Sequence, residues 1–148
     1  MSKIKPDISS VGSADDVEAS FYEALQHADI DKLMACWADD DDIVCVHPGG
    51  GRLIGAVAIR MSFELLFAHG SVRAQPEHIQ RVQTMAASVH SLIERIDLLT
   101  PQGPAQACVT ATNVYHRGVQ GWRKVAHHAS PGTPADASER PSSGTVLH

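Results

Sequence analysis

The chain has 148 residues, the length of one domain, and its 43% apolar and 20% charged residues are typical of a globular protein. Its 12 Lys and Arg against 17 Asp and Glu give a formal charge of −5, which argues against nucleic acid and against an anionic membrane surface as partners. No apolar run approaches the roughly 20 residues that a membrane-spanning helix needs, so no membrane association is predicted.

Two features predict a cytoplasmic location. Residues 1–12 lack the apolar segment of a secretory signal. The three cysteines, Cys36, Cys45 and Cys108, are widely spaced and form no CxxC pair, which favours buried, reduced thiols.

The composition of the two ends differs from that of the middle. Residues 1–12 have no periodic pattern, which predicts a flexible N-terminal tail. Residues 131–148 are rich in Pro, Ser, Gly and Thr, which predicts a disordered C-terminal tail. The folded domain is therefore predicted over residues 13–130.

Three helices are predicted in the first half. Ser13 and Asp29 are residue types that cap helix N-termini, and each precedes apolar residues at three- and four-residue spacing. A third helix is predicted over residues 55–69, and its many apolar positions predict that it is largely buried. Before it, the β-branched stretch 43–47 predicts a strand that ends at the Pro-Gly-Gly-Gly turn, 48–51.

The second half predicts consecutive strands. Four strand-like stretches are separated by turn-forming residues, and they cover residues 72–85, 88–99, 106–116 and 122–130. Pro76 predicts an edge or bulged position for the first of them, because proline cannot donate to a ladder. Helices followed by hairpin-connected strands indicate an α+β fold, with the helices on one face of a curved antiparallel sheet. Such a cone leaves an open cavity in which a ligand site is expected.

The stretch FYEALQHADIDKLMACWADDDDIVCVHPGGGRLIGAVAIR, with GWRKVAHHAS near the end, resembles the nuclear transport factor 2-like superfamily. It looks most like the SnoaL-like branch, and it is also similar to the ketosteroid isomerase branch and to the association domain of calcium/calmodulin-dependent kinase II. The resemblance covers residues 14–130 and implies the cone-shaped cystatin-like fold, with three N-terminal helices on the sheet. It also implies a homodimer through the outer face of the sheet, with Val114, Leu98 and Trp122 as apolar candidates for the seam.

The resemblance allows some site positions to be carried over. In the ketosteroid isomerase branch, the general base lies just before a proline at the end of the first strand, and the residue here is His47. The oxyanion donors of that branch correspond to Phe21, which has no hydroxyl, and to Asn113, which has an amide. In the kinase association domain a pocket arginine lies on the last strand, and Ala129 replaces it here.

Strand alternation and the same resemblance place further residues toward the cavity. His127 is predicted on the pocket side and His128 on the opposite side. Glu94 is expected to point inward, on the same face as His90 and Leu92. The predicted ligand pocket is completed by apolar and aromatic residues, so that its members are Phe21, Trp37, His90, Leu92, Ala111, His127 and Ala129.

Each candidate also has a structural interpretation. His47 either exchanges a proton at neutral pH or only hydrogen-bonds the adjacent turn. Glu94 either forms an acid–base pair with His127 or an ion pair with Arg95 or Arg123. For Asn113 the alternatives are contact with a ligand and satisfaction of the backbone, and for Phe21 and Trp37 they are pocket wall and core.

No metal and no cofactor are predicted. His47, Glu94 and His127 could supply three ligands, but the sequence has no HxH or HxxxH pair, and adjacent histidines cannot share a strand face. The glycine run at 48–51 lacks the following Lys-Ser/Thr of a phosphate-binding loop.

Two functions remain open at this stage. The first is acid–base chemistry, such as isomerisation, dehydration or cyclisation, on an apolar carbonyl compound, with His47, Asn113 and Glu94 as catalytic candidates. The second is a non-catalytic module for ligand binding or dimerisation. The fold does not decide between them, because the superfamily includes both.

Overall fold

The computed structural model describes residues 12–133 and residue 136, so most of both predicted tails lies outside the described residues. The described part contains the three predicted helices, α1 (Ala14–His27), α2 (Ile30–Ala35) and α3 (Ala56–Phe67). Its six strands, in chain order, are β1 (Val44–Val46), β2 (Arg52–Ile54), β3 (Ala74–Gln83), β4 (Ala87–Thr100), β5 (Gly103–Gly118) and β6 (Gly121–Pro131). None of the helices in this part is long and apolar enough to cross a membrane.

The six strands form one sheet in the order β2-β1-β6-β5-β4-β3. The four long strands β3 to β6 pair antiparallel through hairpins, as predicted. Two features of the sheet edge were not predicted: β2 is an additional strand, and β1 pairs parallel with β6. The β1–β6 pairing joins the two halves of the chain, which a local pattern does not specify, whereas β2 pairs with its neighbour β1 across the turn at 48–51.

The helix starts follow the predicted capping chemistry. The hydroxyl of Ser13 accepts a hydrogen bond from the backbone of Asp16, and Asp29 accepts one from Lys32, both at 3.1 Å. Between α1 and α2, Ala28 adopts a left-handed conformation with φ of 51°. The chain therefore reverses at once after α1, and α2 packs against it.

The prediction that α3 is largely buried is wrong. Only Ile59 and Phe63 of this helix are buried, whereas Val57, Met61 and Leu65 are 76%, 57% and 68% exposed. The exposed residues are spaced four apart, so they form an apolar stripe on the outer side of the helix. The sequence of α3 has apolar residues on both faces of the helix, but only one face packs against the rest of the domain.

Strand β3 confirms the prediction made from Pro76. It lies at the edge of the sheet, and its register with β4 shifts between Glu77 and Gln80. His78 within this bulge has a φ of 53°, in the left-handed region. The bulge bends the edge strand, as bulges in antiparallel pairs do.

The core lies between the helices and the inner face of the sheet. Phe21 and Trp37 are fully buried in it, and so are the thiols of Cys36 and Cys45. Trp122 is also buried in this core, so it is not an exposed residue of a dimer seam as the sequence had suggested.

Candidate functional site

A row of polar residues crosses the inner face of the sheet. The register places His90 on β4 opposite Asn113 on β5, and Asn113 opposite His127 on β6. All three are buried, and α1 covers them. Residues paired directly across strands point to the same side, so the backbone pairing alone brings these side chains together.

Asn113 joins two ends of a hydrogen-bond chain. Its Nδ2 donates to Glu18 Oε2 and to the hydroxyl of Tyr22, both at 3.1 Å. A carboxylate can only accept, so this contact fixes the orientation of the amide. Its Oδ1 therefore accepts from Nδ1 of His127 at 2.6 Å. Both amide protons of Asn113 are thus engaged within the protein.

Glu94 lies at one end of this chain. The hydroxyl of Tyr22 donates to its Oε2 at 2.6 Å. Because His127 carries its proton on Nδ1, its Nε2 presents a lone pair, which lies 4.0 Å from Glu94 Oε2. The Glu94 and His127 side chains retain 7% and 6% exposure, so both are almost fully buried.

The environment alters both groups of this pair. Burial raises the pKa of Glu94, although the Tyr22 hydrogen bond and the charge of Lys124 act in the opposite direction. Burial holds the pKa of His127 well below its ordinary value, and the positive charge of Lys124 adds to this. At neutral pH His127 is therefore a neutral imidazole beside a carboxyl group that holds its proton more tightly than usual.

Glu18 lies at the other end of the chain, on α1. Its Oε2 accepts from the Tyr115 hydroxyl at 2.8 Å in addition to Asn113. Its Oε1 lies 3.0 Å from Nδ1 of His90. Burial opposes ionisation, but His90 and Tyr115 together outweigh it and lower the pKa of Glu18. Glu18 is therefore an ionised carboxylate inside the domain.

His47 follows β1 and is half-buried. Its Nε2 lies 2.9 Å from the hydroxyl of Ser62, which itself donates to the carbonyl of Ile59 at 2.7 Å. The hydroxyl can then only accept from the ring, so Nε2 carries the proton and Nδ1 keeps a lone pair. Burial lowers the pKa of His47, which makes the neutral, proton-accepting form the main one at neutral pH.

Lys124 is a fully buried cation next to the chain. Its ammonium lies 3.0 Å from the centroid of the Phe21 ring, and the rings of Tyr22, Trp37 and Tyr115 surround it at 5.6–5.8 Å. Within the described residues the ammonium has no hydrogen-bond partner. Burial lowers the pKa of Lys124 to about 8.

The predicted pocket residues surround this polar chain. Leu92, Ala111 and Ala129 are buried on the inner face, and they form its apolar surroundings together with Phe21 and Trp37. His127 lies on the inner side and His128 is exposed, as strand alternation predicts. Glu94 bonds to Tyr22, whereas Arg95 binds Glu77 instead.

Two grooves open elsewhere on the surface. One, with a volume of about 970 Å³, lies between the end of the α3–β3 loop and the β4–β5 hairpin, and it includes Arg73, Asp97 and Leu99. The other, of about 360 Å³, includes Asp39, His116 and Arg123. Neither groove contains a predicted site residue.

Sequence reasoning missed several members of the polar chain. The hydroxyl that faces the sheet belongs to Tyr22, the neighbour of the Phe21 position that was carried over from the resemblance. Glu18 and Tyr22 are four apart on α1 and share one helix face, a spacing that could have identified them as a pair. Lys124 had no such signal, because a lysine is seldom fully buried.

The comparisons with known proteins place this arrangement in a family. The family model of the SnoaL-like domain matches residues 14–134. No curated protein shows significant similarity to the chain.

Several solved structures are similar. A candidate calcium/calmodulin-dependent protein kinase type II association domain from Thiobacillus denitrificans is 32% identical, covers 82% of this chain and 97% of its own, and has a TM-score of 0.75. A candidate dehydratase of the nuclear transport factor 2-like family from Streptomyces avermitilis is 26% identical, with coverages of 86% and 99% and a TM-score of 0.74.

A protein with a cystatin-like fold from Caulobacter vibrioides shares only the fold, at 14% identity, coverages of 86% and 92% and a TM-score of 0.70. The match to the family model covers nearly all of the described domain, and the solved structures have the same helix-on-sheet cone. The chain therefore belongs to the SnoaL-like domain family of the nuclear transport factor 2-like superfamily.

Proposed function

We propose that this protein binds a small, largely apolar carbonyl compound and carries out acid–base chemistry on it, as an isomerase or a dehydratase without a cofactor. The observation that carries the proposal is the Tyr22–Glu94 hydrogen bond of 2.6 Å, which holds the almost fully buried Glu94 carboxyl group beside His127. A carboxyl group with a raised pKa keeps its proton to a higher pH and can deliver it to a substrate. The similar candidate dehydratase from Streptomyces avermitilis supports the reaction class.

Two groups are proposed to contact the substrate. Glu94 is the acid, because burial keeps it protonated to a higher pH than an ordinary glutamate. His47 is the base, because its Nδ1 lone pair is available while Ser62 holds its Nε2. Among the described residues no hydrogen bond to His47 Nδ1 is found, so a substrate proton has no competitor there.

Asn113 is assigned a positioning role. Both of its amide protons are engaged, so donation to a substrate oxygen would break a bond to Glu18 or to Tyr22. It holds Tyr22 against Glu94 and fixes the tautomer of His127. The apolar side chains of Leu92, Ala111 and Ala129 favour an uncharged ligand.

The dehydration step balances with these groups alone. Nδ1 of His47 takes the proton from the carbon next to the carbonyl, and that C–H electron pair forms the new C=C bond. The C–O bond to the neighbouring hydroxyl breaks, and Glu94 protonates the leaving oxygen to give water. Proton transfer from the His47 imidazolium to the Glu94 carboxylate, through solvent, restores the starting state.

A panel of ketones and β-hydroxy ketones tests the proposal. We expect at least one compound to raise the Tm of the wild type and to lose water, seen as enone absorbance. His47→Gln and Glu94→Gln should abolish turnover. The control variant His128→Gln changes an exposed histidine on the outer face of β6 and should leave turnover unchanged. Neither a Tm shift nor turnover across the panel would overturn the proposal.

A homodimer is the second proposed property. The 32% identical structure is a candidate association domain, and the outer face of the sheet carries the apolar pair Val89 and Val114 in direct register. Without any turnover, pairing alone would make the chain an assembly or ligand-binding module. We also propose a cytoplasmic location, since the buried thiols of Cys36 and Cys45 suit a reducing compartment.

Light scattering after size exclusion tests the dimer and locates its seam. Val114→Glu should give a monomer, whereas Val119→Glu, in the exposed β5–β6 turn, should leave a dimer. Leu65→Glu on the apolar stripe of α3 should also leave a dimer. A monomeric wild type, or a dimer that only Leu65→Glu disrupts, would contradict the proposed seam.

A further inference from the structure

We propose a divalent transition-metal site at the opposite end of the polar chain from Glu94, formed by Asp15 and Glu18 of α1 and His90 of β4, with Zn²⁺ as the ion that fits its donors. One donor atom of each residue lies within 4.8 Å of the donor atoms of the other two. None of its three ligands is proposed to contact the substrate, although Asn113 links Glu18 to Tyr22 and so to Glu94.

The tautomer of His90 gives the first argument. The hydroxyl of Ser88 donates to Gln83 at 3.2 Å, so it accepts from Nε2 of His90 at 2.9 Å. The proton of the neutral ring is therefore on Nε2, and Nδ1 keeps a lone pair. That nitrogen is fully buried and has no hydrogen-bond partner among the described residues, yet it lies 3.0 Å from Glu18 Oε1.

Nδ1 of His90 and Oε1 of Glu18 face each other at 3.0 Å inside the domain, where a shared proton or a shared metal ion can bridge them. Two ligands bonded at about 2.0–2.2 Å to one ion are separated by about 2.8–3.1 Å at a 90° angle and by about 3.3–3.6 Å at the tetrahedral angle, so the observed 3.0 Å matches a coordination edge near 90° and would widen slightly around a tetrahedral Zn²⁺.

The surroundings of the donors resemble an outer coordination shell. Tyr115 and Asn113 donate to the second oxygen of Glu18, which leaves Oε1 free for a metal. Ser88 holds the distal nitrogen of His90. Such partners orient metal ligands and fix the histidine tautomer. One imidazole and two carboxylates suit Zn²⁺ or Mn²⁺ better than Ca²⁺ or Mg²⁺, which prefer oxygen only.

Asp15 lies where a metal ion could enter the site, and it is paired with Arg81, a cation that competes with the metal ion. Its side chain is 56% exposed and lies 3.9 Å from Nε2 of His90, so an ion can reach the buried donors past it. The guanidinium of Arg81 donates to Asp15 Oδ1 at 2.7 Å and occupies part of the place of a cation. Metal binding therefore requires Asp15 to turn from Arg81 toward the other two ligands.

Isothermal titration with Zn²⁺ alone, followed by histidine ring ¹⁵N NMR, tests the site. We expect one Zn²⁺ per chain and a shift of Nδ1 in His90 rather than in an exposed histidine. Asp15→Asn should weaken binding about tenfold or more, whereas Asp16→Asn, an exposed carboxylate on the same turn, should not. Arg81→Gln should tighten binding, because it removes the competing cation.

Two results would overturn the inference. Zn²⁺ binding that is unchanged in Asp15→Asn, or that shifts only exposed histidines such as His69, would be adventitious. No binding by the wild type or by Arg81→Gln would leave the His90–Glu18 contact as a direct one, without a metal ion. Since Asp15 is exposed, its variant is expected to fold, and the test does not depend on the buried His90.

Discussion

The two buried carboxylates, Glu18 and Glu94, differ in how the protein treats their charge. Glu18 faces two hydrogen-bond donors on one oxygen and an imidazole on the other, and its pKa is lowered. Glu94 has the single Tyr22 hydroxyl, and its pKa is raised. Burial acts in the same direction on both, so the number of donors determines which carboxylate stays ionised.

The largest effect should come from neutralising each carboxylate in turn. Glu18→Gln replaces an ionised group with two donors on one oxygen and an imidazole beside the other, so we expect a loss of about 3 kcal/mol in the free energy of unfolding at pH 7. Glu94→Gln replaces a group that the fold already prefers neutral, and should cost about 1 kcal/mol or less. Urea unfolding measures the free energy of unfolding of both variants. Equal losses would show that the protein does not treat the charges of Glu18 and Glu94 differently.

The same two variants should respond to pH in opposite ways. The stability that ionised Glu18 contributes is present above its ordinary pKa of 4.5 and is lost as pH falls through its lower folded value. Glu94 destabilises the fold as pH rises above 4.5 through its raised folded value. As pH rises from 3 to 7, the stability of Glu18→Gln should therefore fall relative to that of the wild type, and the stability of Glu94→Gln should rise.

Lys124 is the cation that both carboxylates share, and its removal is the next largest change. Its ammonium is buried without a hydrogen bond, and its pKa falls from 10.5 to about 8. Lys124→Met should therefore stabilise the fold by about 1–3 kcal/mol at pH 7. The gain lies toward the lower end of this range if the lost cation–π contacts are strong.

The sign of this effect can be checked against pH. A base with a lowered folded pKa binds fewer protons when folded, so the wild type should gain stability between pH 8 and pH 10.5. The advantage of Lys124→Met should shrink over that range. A destabilised variant at pH 7 would instead show that the aromatic rings outweigh the cost of burying the charge.

Tyr22→Phe tests the link between the two ends of the chain. It removes the donor to Glu94 and the acceptor for one Asn113 proton, so we expect a loss of about 1–2 kcal/mol in stability. The pKa of Glu94 should rise further, because the hydroxyl lowers it now. Phe21→Leu is the matched change at the neighbouring position, and should leave the Tyr22–Glu94 hydrogen bond intact.

The sequence predicted the local features well, because they depend on neighbouring residues. Ser13 and Asp29 cap their helices, and Pro76 lies on a bulged edge strand. The predicted hairpin turns also occur between the long strands. Each of these follows from a side chain or ring acting on backbone within a few residues.

The features that the sequence did not predict depend on distant contacts. Whether α3 is buried depends on what faces it, and the apolar pattern of Val57, Met61 and Leu65 carries no such information. Whether the side chain of Phe21 or that of Tyr22 faces the polar chain depends on the rotation of α1 against the sheet. Lys124 lies in the interior because aromatic rings from α1, from β5 and from the segment after α2 surround it.

The separation of the two carboxylates can be measured directly by ¹³C NMR of the glutamate side-chain carboxyl groups as a function of pH. The account predicts that Glu94 titrates above the ordinary value of 4.5 and Glu18 below it. If Glu94 instead titrates with the exposed glutamates, or below Glu18, the group proposed to deliver the proton is an ordinary carboxylate and the account is contradicted.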